Sequence, residues 1–189
     1  KKTQKLMRGI GMGKQADELE LTLNRAAERE LSSLGFRQSR FEASLSHDPD
    51  PANATETGMD RMEFQFAPNP GEPARPLRAI ASSGELARVM LALKTVLADQ
   101  DAVPVLVFDE VDANVGGETA HAVGQKMATI ASRHQVLCIT HLAPVAAAAA
   151  THYQVIKEVR NGRTESRIQT LAPAERIAEL GRMLGGGPA

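Results

Sequence analysis

The sequence predicts an α/β protein with a parallel sheet flanked by helices, preceded by one long charged helix. Two short apolar runs, at residues 103–108 and 135–140, alternate with amphipathic helical patterns. Continuous apolar strands that alternate with helices are typical of a parallel sheet covered on both faces. The charged helix is indicated over residues 14–34, where leucine and alanine recur at spacings of three and four.

Composition limits the functions that are open to the chain. A net charge of −1 and an aromatic content of 3% argue against a broad basic surface or a base-stacking platform for nucleic acid. The single cysteine, Cys138, excludes an internal disulfide and a cysteine-based zinc cluster, and its apolar surroundings point to a reducing compartment. No apolar stretch reaches the roughly 20 residues that a membrane span needs.

The first part of the chain is predicted to hold the charged helix and two strands. The helix suits an exposed position or one strand of a coiled coil, and Gly35 is a plausible C-cap. We therefore assign residues 1–35 to a linker or coiled-coil arm, and residues 36–189 to a globular part. Within the latter, residues 37–45 and 61–68 alternate polar and apolar side chains, as strands do. Because the chain begins "KKTQK" without methionine, we expect it to be a piece of a longer protein.

The remaining elements follow in order. A helix is predicted from residue 84, with an apolar face that consists of Leu86, Val89, Met90, Leu93, Val96 and Leu97. After strand 103–108, a second helix over 117–131 has Ala120, Val123, Met127 and Ile130 on one face. Strand 135–140 precedes a hairpin that turns at Asn161-Gly162, and a helix over 173–184 comes last.

Two adjacent acids, Asp109 and Glu110, end the first apolar strand. Ligands of open α/β sheets bind at the carboxyl ends of the strands, where both acids should emerge on opposite sides of the strand. One can then hold a hard cation such as Mg²⁺, and the other can orient or deprotonate a water molecule. The alternative is an ordinary solvated strand end.

Two further segments bear on that choice. Ser82, Ser83 and Gly84 precede a helix with Glu85 in its first turn, which suits phosphate oxygens, although a simple N-cap explains the same residues. His141 follows the second apolar strand and should project at the same sheet edge as the acids. There it can hydrogen-bond a terminal phosphate or an attacking water, or it can be a structural residue.

In this order and spacing, the segments resemble the C-terminal half of an ABC-type P-loop NTPase head. "SSGEL" resembles the ABC signature, "VPVLVFDE" the Walker B strand, "VDANVGG" the D-loop and "ITHLA" the switch histidine. The wording of "ASSGELARVMLALK" and "FDEVDANVGGETAHAVGQKM" is similar to the RecN family of bacterial DNA repair ATPases, which are relatives of the SMC proteins. The resemblance is strong over residues 78–186, but Ser83 replaces the first glycine of Ser-Gly-Gly-Glu.

The resemblance implies ATP hydrolysis shared between two heads and coupled to DNA, in the cytoplasm at the nucleoid. Asp109 would help to hold Mg²⁺, Glu110 would polarise the water and His141 would sense the γ-phosphate. The signature of the opposite head would contact that phosphate. The implied cofactor-binding residues are Ser82, Ser83, Gly84, Glu85 and Asp112.

A Walker A segment is missing from this sequence. The nearest candidate, "RGIGMGKQ" at residues 8–15, has Arg8 in place of the first glycine and Gln15 in place of Ser/Thr, and we reject it. The resemblance then implies a further partner, the N-terminal half of the head that carries Walker A, besides a second head and DNA. Two alternatives are the nucleotide-binding domain of a transporter and a non-catalytic dimerisation module.

Overall fold

The computed structural model describes residues 12–48, 50–53, 59–98, 100, 102–160 and 162–186. It forms two compact units, Lys1–Asp101 and Ala102–Ala189. The predicted linker over the first residues of the chain lies outside the described residues. None of the helices in the described ranges has the length and apolar character to cross a membrane.

The first unit begins with helix α1 (Met12–Ser33), which packs against strand β1 (Arg40–His47). Ala27, Leu31 and Leu34 on the predicted apolar face are fully buried. Gly35 follows the end of the helix, and its φ of 95° is the left-handed value of a glycine C-cap. The N–H of Phe36 donates to the carbonyl of Leu31 at 3.1 Å, as in a Schellman motif. The predicted helix and its C-cap are therefore confirmed.

Two polar side chains of α1 reach the backbone of β1. Asn24 Oδ1 accepts a hydrogen bond from the N–H of Ala43 at 2.9 Å, and Glu28 Oε1 accepts one from the N–H of Phe41 at 3.2 Å. An edge strand presents backbone groups of this kind for pairing with another chain. The helix therefore accepts hydrogen bonds from two N–H groups of β1 that solvent or another strand would otherwise bind. The division predicted at residue 35 stays a prediction about a longer protein.

The strands of the first unit form an antiparallel sheet in the order β1-β2-β3, with β2 at Asp60–Ala67 and β3 at Arg75–Pro76. The register pairs Phe41 with Phe66, and both side chains are buried. Helix α2 (Ser83–Val96) then packs against α1. Its buried set, Gly84, Arg88, Val89, Leu91, Ala92 and Leu93, only partly matches the predicted face.

The second unit is built on the predicted parallel pair. Strand β4 (Val105–Phe108) is followed by helix α3 (Gly117–Ile130) and strand β5 (Gln135–Cys138). The register of the two strands runs from Val105 opposite Gln135 to Phe108 opposite Cys138. The predicted apolar face of α3 is confirmed, since Ala120, Val123, Met127 and Ile130 are all buried.

The two faces of this sheet differ, which departs from the prediction that both are covered. Leu106 and Phe108 are buried, as expected for the covered face. On the other face, Val105 is 47% exposed, Val107 63%, Leu137 45% and Ile139 62%. Because side chains alternate along a strand, these four share one face, which the described residues of the second unit leave open.

The chain continues through helix α4 (Ala143–Ala147), strand β6 (Tyr153–Arg160), strand β7 (Arg163–Thr170) and helix α5 (Pro173–Met183). Strands β6 and β7 form the predicted antiparallel hairpin, with Arg160 opposite Arg163. Gly162 in the turn has a φ of 75°, and Asn161 lies outside the described residues. Helix α5 packs on α4, where Arg176 donates to the carbonyls of Ala147 and Ala150 at 3.0 and 3.2 Å.

Candidate functional site

The two adjacent acids lie in the turn that follows β4. The strand ends at Phe108, and both Asp109 and Glu110 are exposed. A hydrogen bond of 2.9 Å from the N–H of Ala113 to the carbonyl of Glu110 closes the turn. The prediction that the two side chains alternate across the strand is wrong, because neither residue belongs to it.

Glu110 has an unusual backbone conformation, with a φ of 57°. A positive φ is uncommon for a residue other than glycine and costs about 1–2 kcal/mol. Such conformations cluster at functional sites, where the surrounding structure holds a side chain in a required direction. Sequence reasoning missed this feature because periodicity reports the strand but not the turn that ends it.

His141 lies at the same sheet edge as the acids. The N–H of Ile139 donates to the carbonyl of Phe108 at 2.9 Å, so the chain beyond β5 stays alongside the end of β4. His141 follows two residues later, and its side chain is 72% exposed. The backbone pairing therefore places the His141 segment and the acid pair at the same end of the two strands. Their joint role in a site stays a prediction.

Asp112 occupies a different environment from the other acids, because it is only 1% exposed. Its Oδ2 accepts hydrogen bonds from the hydroxyl of Thr140 and, at 3.2 Å, from the backbone N–H of His141. The ring Nδ1 of His141 is 3.4 Å from the same oxygen. Sequence reasoning placed Asp112 among the cofactor-binding residues and missed Thr140, yet this carboxylate meets protein donors rather than solvent.

The electrostatic character of the edge is reflected in Cys138, the last residue of β5. The pKa of its thiol is raised to about 12, first by burial and then by the negative charges of Asp112 and Asp109. A thiol responds in this way where the charged form is poorly solvated and faces anions. The thiol of Cys138 therefore lies close enough to Asp112 and Asp109 for their charges to influence its titration.

The donor set at the edge fits Mg²⁺ bound together with a nucleotide. Among the described residues there is no group of three or more histidine, cysteine or acidic side chains that could hold a metal ion. Mg²⁺ in nucleotide sites takes one or two protein carboxylates, and phosphate and water supply its other ligands. Asp109, an exposed carboxylate at the strand end, matches that requirement.

The signature-like segment lies at the N-terminus of α2, in the first unit. Ser82 is the N-cap, and its Oγ accepts a hydrogen bond from the N–H of Glu85 at 3.3 Å. Ser83 is exposed, Gly84 is buried and Glu85 is half-buried. The capping interpretation of this segment is thus confirmed. Phosphate binding by the same helix terminus stays a prediction.

Comparison with solved structures defines the class of fold. The Smc head domain from Pyrococcus yayanosii matches 85% of this chain with a TM-score of 0.57 at 19% identity, over 28% of that chain. The Smc head domain from Pyrococcus furiosus, bound to the C-terminal domain of ScpA, matches 85% with a TM-score of 0.54 at 22% identity, over 37% of that chain. The fold is that of an SMC-type head, as the sequence predicts.

Sequence comparison identifies the family within that class. The chain is 42% identical over 170 residues to the DNA repair protein RecN of Bacillus subtilis, covering 84% of this chain and 30% of that protein. It is 53% identical over 129 residues to RecN of Xylella fastidiosa, covering 68% and 23%. The chain belongs to the RecN family, and it spans less than a third of the length of these relatives. A scan of models of known protein families gives no match.

Proposed function

We propose that this chain is the C-terminal half of an SMC-like, ABC-type ATPase head, in a longer protein that hydrolyses ATP during DNA repair. The observation that carries the proposal is the position of Asp109, Glu110 and His141 just beyond the paired ends of β4 and β5, at one edge of the sheet. An exposed acid pair beside a histidine at the carboxyl ends of parallel strands suits metal-assisted phosphoryl transfer to water. Kinship with proteins named for DNA repair supports the cellular role.

Each residue at the edge has a chemical role in this proposal. Asp109 holds Mg²⁺, which supplies charge neutralisation on the phosphates when it is bound. Glu110, held in its left-handed turn, orients the attacking water and accepts its proton. His141 donates a hydrogen bond to the γ-phosphate from its exposed ring. The N-terminus of α2, from Ser82 to Glu85, contacts the γ-phosphate bound by a second head.

The head is proposed to be completed by a segment that carries Walker A. The support for this partner is the open apolar face formed by Val105, Val107, Leu137 and Ile139, each at least 45% exposed. Parallel sheets are almost always covered on both faces. Covering these side chains contributes roughly 1–3 kcal/mol for each one that is fully buried.

The partner is tested by co-expression of this chain with the segment of its longer protein that carries Walker A. We expect Val107→Glu to abolish co-purification, because it places a charge at the centre of the open face. Glu165→Lys, a charge change at an exposed position of β7, is the control and should co-purify normally. Normal co-purification of the Val107→Glu variant would remove the support for this partner.

The ATPase function is tested with Glu110→Gln in the reconstituted head. The change keeps the shape of the side chain and removes its ability to accept a proton. We expect kcat to fall by about 100-fold or more, while ATP binding is kept and the ATP-bound head dimer accumulates in light scattering. Glu165→Gln, at an exposed position of β7, is the matched control and should hydrolyse ATP at the parent rate. Unchanged turnover in Glu110→Gln would contradict the role of Glu110.

A further inference from the structure

We infer that Asp112 is a positioning residue, which fixes His141 at the edge of the β4–β5 sheet where Asp109 and Glu110 lie, and does not itself bind nucleotide or metal. The inference rests on the proposed function for its effect on turnover, while its geometric basis is independent of that function. The turn after β4 would then have two roles. It presents Asp109 and Glu110, and through Asp112 it holds the turn after β5 in one conformation.

The burial of Asp112 is the first step of the argument. A carboxylate that is only 1% exposed is costly unless donors surround it. Two donors do so, the hydroxyl of Thr140 and the backbone N–H of His141, and both meet the same oxygen, Oδ2. Hydrogen bonds to an ionised acceptor are about twice as strong as neutral ones. Asp112 is therefore satisfied by the His141 segment and has little exposed surface with which to meet a ligand.

Thr140 links the buried carboxylate to the residue that follows the histidine. Its Oγ donates to Asp112 and also accepts a hydrogen bond from the N–H of Leu142 at 3.0 Å. Leu142 is the N-cap residue of α4, so this hydroxyl joins the buried acid to the start of the next helix. The backbone of His141 is consequently held by Asp112 directly and by Thr140 on both flanks.

The ring of His141 is oriented by the same carboxylate. Its Nδ1 is 3.4 Å from Oδ2 of Asp112, close enough for electrostatic attraction, while the side chain as a whole is 72% exposed. With Nδ1 turned toward the buried acid, Nε2 is the ring nitrogen that can meet a phosphate oxygen. A histidine on an unrestrained turn would sample several directions and would lose the benefit of a fixed geometry.

The inference is tested first by amide hydrogen exchange, which requires no catalysis. In the full protein that contains this chain, we expect Asp112→Ala to accelerate exchange of the His141 N–H by tenfold or more. Asp112→Asn retains an acceptor oxygen and should keep most of the protection. If Asp112→Ala leaves the His141 amide protected, Asp112 does not hold the His141 backbone and the inference is overturned.

The second test is a double-mutant cycle on ATP turnover. Asp112→Ala and Thr140→Val should each lower kcat about tenfold with the Kd for ATP within twofold, while Asp112→Asn and Thr140→Ser restore most of the rate. In a His141→Ala background, Asp112→Ala should change kcat by less than about twofold, because a residue that acts through another adds nothing once that residue is gone. Losses that multiply in this background would overturn the inference.

Controls separate this inference from the proposed function. Asp50→Asn removes a charge from an exposed turn acid that likewise accepts from a backbone N–H, and it should leave kcat unchanged. If the parent protein does not hydrolyse ATP, or His141→Ala leaves kcat unchanged, the proposed function fails. The exchange test still shows whether Asp112 holds the His141 backbone. If His141→Ala is impaired and Asp112→Ala is not, the inference alone fails. Should Asp112→Ala not fold, Thr140→Val against Thr140→Ser decides both tests.

Discussion

The guanidinium of Arg88 lies over the ring of Phe36, with its central carbon 5.1 Å from the ring centroid. Phe36 in turn meets the edge of Phe66 on β2, with the ring centroids 5.1 Å apart. Arg88 is buried on α2, and this burial lowers the pKa of its guanidinium, while the charge of Glu85 opposes the shift. The contact joins α2 to the turn that follows α1 and, through Phe66, to strand β2.

This contact predicts that Arg88→Lys destabilises the first unit. A lysine keeps the charge but lacks the flat group that stacks on an aromatic face, and an ammonium is harder to desolvate. We expect a loss of about 1–2 kcal/mol in the free energy of unfolding, measured by urea denaturation. Arg29→Lys at an exposed site of α1 should change it by less than about 0.5 kcal/mol. Equal stability of the two variants would show that the stacking contributes nothing.

Sequence patterns predicted the helices and strands because burial periodicity reports them directly. The face of α3 and the parallel pairing of β4 with β5 followed from apolar spacing alone. The burial of Arg88 was not predicted, because arginine counts as a polar residue in a periodicity pattern. Its aliphatic stem and planar guanidinium can nevertheless be buried over an aromatic ring.

The site was predicted less completely than the fold. The acids and His141 follow the strand ends, and strand ends can be read from the sequence. The left-handed backbone conformation of Glu110 and the hydrogen bond from the Thr140 hydroxyl to Asp112 depend on the path of the chain after the strands end. The open face of β4 could not be predicted either. An apolar strand has the same sequence pattern whether the residues that cover it belong to this chain or to another segment.

Gly124 of α3 is predicted to tolerate no side chain. A Cβ at this position would lie 2.9 Å from the carbonyl oxygen of Pro144 and 3.1 Å from the Cβ of Ala148. We expect Gly124→Ala to cost about 1–3 kcal/mol through overpacking against α4, despite the better helix propensity of alanine. Gly181→Ala in α5 is the matched control, since nothing lies within 4 Å of its added Cβ. It should gain up to about 1 kcal/mol in thermal or urea unfolding, and similar effects at both sites would contradict this packing.

Cys138 is predicted to be a slow nucleophile whose reactivity depends on the neighbouring acids. With its pKa raised to about 12, the thiolate fraction at pH 8 is on the order of 100-fold or more below that of a free thiol. Alkylation by iodoacetamide, followed by peptide mass spectrometry, should therefore be slow in the native state and fast in denaturant. Asp109→Asn removes one of the charges that raise the pKa and should speed the native reaction. Native reactivity equal to that of the denatured chain would contradict the prediction.

The same pKa shift sets a pH dependence for stability. The folded state holds the thiol proton more tightly than the unfolded state, whose thiol titrates near its ordinary value of 9.0. Below that value both states are protonated, and the group has no effect on the free energy of unfolding. As the pH rises from about 9 toward 12, the unfolded state loses its proton first, so the free energy of unfolding decreases. Cys138→Ala should remove this part of the alkaline loss.

Ser82 allows the capping role of the α2 N-terminus to be separated from a phosphate-binding role. Ser82→Ala removes the acceptor for the N–H of Glu85 and should cost about 1 kcal/mol, whereas Ser82→Asp restores the cap and complements the helix dipole. In urea denaturation, the Asp variant should therefore match the parent and exceed the Ala variant. If the helix terminus also meets the γ-phosphate of a second head, the order for ATP-driven dimerisation is different. Ser82→Asp should then dimerise least in light scattering, because its carboxylate repels the phosphate. If the Asp variant dimerises as well as the parent, Ser82 caps the helix and does not contact the phosphate.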